Sequence, residues 1–188
     1  MPQDSDSPNQ RSDFRGKPGN DARKRAPAVL LRPYNPDDEE AAIALWLRTW
    51  QAAYPAIDLW RRTWQQAYPK IDFSARVDWW RARWRNELVP TATITVAEAA
   101  RALVGFVTVD PNTGYLDQIV VATDQQGRGV ADALLAEARR LAPEGLDLHV
   151  NQDNVRAVRF YEKNGFRKTG TDVNPRSQAP TYKMSWRP

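Results

Sequence analysis

Residues 119–135 read Ile-Val-Val-Ala-Thr-Asp-Gln-Gln-Gly-Arg-Gly-Val-Ala-Asp-Ala-Leu-Leu. The β-branched run Ile119-Val120-Val121 stops, a loop carrying Gly127 and Gly129 follows, and an apolar-periodic helix begins near Val130. A glycine has no Cβ, so its backbone can come close to a ligand. The first turn of a helix leaves N–H groups without partners, and the helix dipole favours an anion beside them. Phosphate is the natural occupant. Arg128 can add a charge-assisted contact. The chemistry these residues offer is phosphate binding by backbone amides at the end of a strand.

The spacing narrows the ligand. A Walker loop needs G-x-x-x-x-G-K, which the chain lacks, and a dinucleotide fingerprint needs a third glycine where Asp132 stands. The pattern present is Q-x-x-G-x-A, from Gln126 through Gly129 to Ala131. A second run lies downstream: Asn154…Ala157…Phe160-Tyr161-Glu162-Lys163…Gly165-Phe166. The first resembles the acetyl-CoA loop of the GNAT N-acetyltransferase family. The second is similar to that family's N-x-x-A-x-x-F-Y-E-K-x-G-F signature. Both stand in the family's order, and the resemblance covers roughly residues 28–188. It implies an α/β GNAT acyl-CoA N-acyltransferase fold, a mixed sheet of about seven strands flanked by four or five helices.

The resemblance also implies chemistry. Acetyl-CoA serves as co-substrate, with the pantetheine arm held along Ile119, Val120 and Val121. The Val121 N–H meets the thioester carbonyl. The pyrophosphate lies on the loop of Gln126, Gly127, Arg128, Gly129, Val130 and Ala131, and Asn154 caps a helix while touching the CoA arm. Tyr161 is the candidate general acid. A phenol ordinarily stays protonated at a pH where a thiol has begun to ionise, and it can hydrogen-bond a departing thiolate. The competing reading of Tyr161 is a helix core aromatic. For the general base the family often uses a carboxylate near the fourth strand, acting through water. Asp117 is the candidate, and period-two alternation puts it on the face of Ile119 and Val121. Its other reading is a solvated strand carboxylate or a helix partner. His149, the single histidine, alternates onto the face of Asp147 and Asn151 and reads as a hydrogen-bonded strand residue. One His and no Cys make no zinc site, and no nucleophile elbow is present for a serine triad.

Two other readings stay open. The segment 115–150 could be half of a βαβ unit binding a nicotinamide nucleotide, against which stand the missing glycine and the lack of a second half. The chain could also be a non-catalytic acyl-CoA sensor. The acceptor, a small-molecule or peptide amine, is not specified by the sequence, and a homodimer is left open.

The 188 residues are enough for one sizeable core. No apolar run approaches a membrane span, no signal-peptide stretch opens the chain, and without cysteine there is no disulfide. These absences point to a cytoplasmic protein without a membrane partner. The net charge of +4 divides equally between residues 1–27 and the rest. That polar tail reads as a disordered extension. Its Arg23-Lys24-Arg25 cluster reads as a solvated charge run, so no nucleic-acid partner is expected.

The elements that must position these residues follow from periodicity. Strands are predicted at 29–34, 91–97, 103–109, 115–122, 146–150, 167–173 and 181–186. Residues 98–101 make the turn between the second and third. Helices are predicted at 37–54, at 74–88 with Val77, Trp80, Trp84 and Leu88 on one stripe, after Gly129, and from Asp153 or Asn154 to Gly165. Residues 45–58 recur as 59–72 with 11 of 14 positions identical, a local tandem duplication. Pro55 should end the first copy's helix near Tyr54, with a second short helix capped by Asp58 and ending before Pro69. The extra copy is expected on the acceptor side, among aromatics that include Trp46, Trp50, Trp60, Trp64 and Tyr68.

Overall fold

A computed structural model describes residues 28–53, 73–174 and 178–188. The expected tail, the second copy of the duplication and its short helix lie outside the described residues. Seven strands form one sheet in the order β1-β2-β3-β4-β5-β7-β6. They are β1 Leu30–Pro33, β2 Thr93–Ala99, β3 Ala102–Asp110, β4 Tyr115–Val121, β5 Leu146–Asn151, β6 Arg167–Val173 and β7 Pro180–Trp186. Every pairing is antiparallel except β4 with β5. The helices are α1 Glu39–Ala53, α2 Phe73–Arg83, α3 Val130–Leu141 and α4 Val155–Lys163.

Local chemistry sets several boundaries. Asn35 accepts from the Asp37 N–H at 3.0 Å, and Asp38 returns a bond to the Asn35 N–H at 2.8 Å. This reciprocal cap turns the chain through Pro36–Asp38 into α1. Helix α2 runs on through a π-helical turn, Trp84–Leu88, and a last turn, Val89–Thr91. Pro90 there has no N–H to return to the preceding turn. The β2–β3 hairpin closes on Ala100 and Arg101, both with positive φ, so Glu98 and Ala99 stay in the strand rather than in the expected four-residue turn. Two-residue hairpins need that left-handed geometry, and here it is met without glycine.

Two unlike layers cover the sheet. On one face α3 and α4 pack an aliphatic cluster that includes Val121, Leu134, Leu135, Leu148, Val158 and Met184. Gly105 lets α3 seat there, since a Cβ at that position would meet the Val120 carbonyl at 2.9 Å and Leu134 at 3.1 Å. On the other face α1 and α2 bring Trp46, Trp80 and Trp84 onto Phe106 and Val120. The Trp46 and Trp80 rings stack at 4.3 Å, and Trp84 meets Phe106 edge-on at 5.2 Å. Of the predicted α2 stripe, Trp80, Trp84 and Leu88 are buried.

The feature that positions the site is a parting in the sheet. Strands β4 and β5 pair only at Tyr115 with Asp147, backed by the Asp147 N–H donating to the Gly114 carbonyl at 3.0 Å. Beyond that vertex they diverge. The C-terminal half of β4 therefore has one edge paired to β3 and one edge open.

Candidate active site

The open edge has defined donors and acceptors. Val120 lies opposite Phe106, and the Ala122 N–H donates to the Val104 carbonyl at 2.8 Å, so the backbone groups of Val120 and Ala122 point at β3. In an antiparallel ladder the intervening residues point the other way. Ile119 and Val121 thus turn their N–H and C=O groups into the gap between β4 and β5. The Val121 carbonyl receives a long bond from Gln126 Nε2 at 3.4 Å, and Gln126 Oε1 in turn accepts from Arg156.

The glycine loop follows directly. Gly127 and Gly129 have φ of 75° and 84°, and nothing lies within 4 Å of where a Cβ would stand at either. Both positions face open space. Gly129 caps α3 with no side-chain bond, and the first intrahelical bond runs from the Ala133 N–H to the Gly129 carbonyl. The N–H groups of Val130, Ala131 and Asp132 precede it in the unpaired first turn. Arg128 is exposed beside them. The arrangement can bind an anion through backbone amides, next to a strand edge that can bind an extended chain carrying its own amides.

Across the gap stands α4. Asn154 caps it, its side-chain oxygen accepting from the Ala157 N–H at 3.1 Å. Tyr161 is 8% exposed, between the edges of Phe160 and Phe166 at 5.4 and 5.2 Å. Burial pushes its phenol above the ordinary tyrosine range, and the nearby Tyr115 hydroxyl adds to the effect. The group is a retained proton donor at any physiological pH. It belongs to the aliphatic cluster as well, so core packing and chemistry coexist at this residue.

Asp117 departs from its expected place. Gln118 pairs with Thr108 but Leu116 pairs with Val109, so β4 holds an extra residue at Asp117. This bulge breaks the alternation. Leu116, Ile119 and Val121 pack on the α3 and α4 face, whereas the Asp117 carboxylate reaches Arg83 on α2 at 2.7 and 3.0 Å. It is not on the face of Ile119 and Val121, because the bulge re-aims it. Gln118 adds a contact at 3.3 Å, and the carboxylate ties α2 to β4.

Three contributors carry no local sequence signal: Arg83, Arg156 and Tyr115. Only the fold brings them in. Tyr115 sits at the vertex, its hydroxyl 3.1 Å from Nδ1 of His149, the expected hydrogen-bonded strand residue. Among the described residues no group of His, Cys, Asp and Glu could hold a metal, and no helix is long and apolar enough to cross a membrane.

A mixed seven-stranded sheet parted between β4 and β5, with a glycine loop at the N-terminus of α3, is the architecture expected of the acyltransferase fold. Residues 68–187 match the family model for an acetyltransferase (GNAT) domain. The chain belongs to the GNAT acetyltransferase family. It is 28% identical over 150 residues to the peptidyl-lysine N-acetyltransferase YjaB of Escherichia coli strain K12, covering 76% of this chain and 84% of that protein. Against the YjaB of Salmonella typhimurium it is 37% identical over 87 residues, 45% of this chain and only 57% of that protein. The solution structure of apo YjaB from Escherichia coli superposes with a TM-score of 0.65 at 26% identity, covering 85% of this chain and 97% of that one.

Proposed function

We propose that this enzyme transfers the acetyl group of acetyl-CoA to a primary amine by direct attack on the thioester, with the side-chain amine of a peptidyl lysine as the first acceptor to test. The observation that carries the reading is the open β4 edge running from the parting to the glycine loop. Acetyl-CoA supplies the activated acyl carbon. Ile119 and Val121 bind its amide-bearing arm as a strand would, and the Gln126 bond to the Val121 carbonyl is weak enough to give way. Gly127, Arg128, Gly129, Val130 and Ala131 hold the pyrophosphate. An N–H of this open edge, on the parting side of the bound arm, donates to the thioester oxygen as charge gathers there, a contact that strengthens along the reaction. Tyr161 donates its proton to the sulfur as the carbon–sulfur bond breaks. The acceptor class is supported by the two YjaB relatives, each named for action on peptidyl lysine.

The test is a thermal shift with acetyl-CoA, CoA and NAD, followed by CoA-thiol release against small amines and a lysine peptide. Stabilisation by both CoA species with amine-dependent thiol release supports the proposal. Stabilisation by NAD alone would overturn it. Binding of acetyl-CoA without release to any amine would leave a sensor of acyl-CoA instead.

A further inference from the structure

With Asp117 committed to Arg83, the proposed reaction lacks a group to take the proton from an incoming ammonium. The structure places one candidate at the parting. Tyr115 begins β4 at the sole β4–β5 pairing, where the gap opens. Leu116 packs on the α3 and α4 face, so Tyr115 presents its side chain on the other. His149 does the same on β5, between Leu148 and Val150 of the aliphatic cluster. The two rings lie 5.9 Å apart, with the Tyr115 hydroxyl 3.1 Å from Nδ1. The opposite nitrogen, Nε2, faces an Asp172 carboxylate oxygen of β6 at 3.6 Å. Both His149 and Asp172 are substantially exposed, so a proton reaching the imidazole can leave to water.

We propose, resting on the acetyltransferase reading above, that Tyr115 and His149 form the proton relay that frees the acceptor amine. The ammonium gives a proton to the Tyr115 oxygen while Tyr115 passes its own to His149 Nδ1. The amine is then neutral, Tyr115 is unchanged, and the imidazolium is held beside Asp172 until it releases the proton to solvent. The amine nitrogen bonds the acyl carbon, the carbon–sulfur bond breaks, and the sulfur takes the Tyr161 proton. The new amide sheds its surplus proton to the same relay, and Tyr161 is reprotonated from solvent. The net change is one ammonium and one thioester converted to one amide, one thiol and one released proton. Tyr115 touches the acceptor; His149 acts through it.

The placement separates the two proton tasks. Tyr161 donates from the α3 and α4 side of the gap, and Tyr115 accepts from the other. Burial keeps the Tyr115 phenol above the ordinary range, with the Asp117 charge adding to it, which favours transfer through a neutral hydroxyl over a standing phenolate. Other charged groups near His149 are Lys183 of β7, 3.2 Å from Asp172, and the Asp147–Arg187 pair at 2.9 Å; the Arg83–Asp117 pair lies beyond Tyr115.

The test is the pH profile of kcat/KM with a lysine peptide for wild type, His149→Gln and Tyr115→Phe, with acetyl-CoA affinity measured on each. In wild type, kcat/KM levels off below the acceptor's own pKa, because the relay takes the proton from bound ammonium. In His149→Gln it falls about 100-fold near pH 7 and keeps climbing toward the acceptor's own pKa, because only free amine in solution then reacts. Tyr115→Phe behaves alike, and both bind acetyl-CoA within a few-fold of wild type. A His149→Gln enzyme that keeps the wild-type rate and plateau overturns the relay while leaving the acetyltransferase reading intact. A wild-type chain that releases no thiol with any amine overturns both.

Discussion

The two sides of the parted sheet are built differently. The α3 and α4 side exposes backbone: the edge of Ile119 and Val121, two left-handed glycines and an unpaired helix turn. Its core is aliphatic, apart from Tyr161 and Phe166. The α1 and α2 side rests on interlocked tryptophans and on arginine–carboxylate forks. At its margin, side chains rather than amides point at the parting. One side offers a fixed pattern of backbone groups, and the other a set of hydroxyl, imidazole and charged side chains. A fold can conserve the first arrangement in a few glycines while the second is remade by changing side chains.

The largest blow to that contrast should come from Trp84→Ala. Trp84 is fully buried, meets Phe106, and donates to the Tyr34 hydroxyl at 3.1 Å. Removing it should cost about 3–5 kcal/mol, seen as a lower denaturant midpoint. A loss below about 1 kcal/mol would mean that the aromatic layer is not a foundation. Gly129→Val sharpens the other half. The side chain has room, but its backbone would be held at positive φ with a β-branched residue. Strain of about 1–3 kcal/mol, relieved by loop rearrangement, should weaken CoA binding roughly 10- to 100-fold by calorimetry. If binding is unchanged, the phosphates do not lie on this loop. The smallest effect is expected from deleting residues 59–72. We expect folding and CoA affinity to persist while acceptor choice or oligomeric state changes. Loss of CoA binding would make the duplication part of the core.

The same contrast explains what was legible in the sequence. The glycine loop announces itself because its function is a local backbone conformation, and residues four or five apart specify it. Asn154, Tyr161 and Gly165 were readable for the same reason, since one short helix carries them all. The seven strands emerged from alternation, and β6 kept its predicted bounds. Asp117 was misplaced because a bulge is invisible to alternation: one extra residue reverses the face without changing composition. The Ala100-Arg101 turn lacked the glycine or asparagine that usually marks its geometry. Arg83 and Asp117 lie 34 residues apart, as do Tyr115 and His149, so only the assembled sheet brings each pair together.

The account's central claim is that grip and proton transfer reside in different groups, and Tyr161→Phe separates them most directly. The substitution keeps the ring between Phe160 and Phe166 and removes only the hydroxyl. Acetyl-CoA affinity, measured by calorimetry, should stay within a few-fold of wild type. The kcat for thiol release with the best amine should fall by about 10- to 1000-fold, the loss of a positioned acid. An unchanged kcat would remove Tyr161 from the chemistry and contradict the claim.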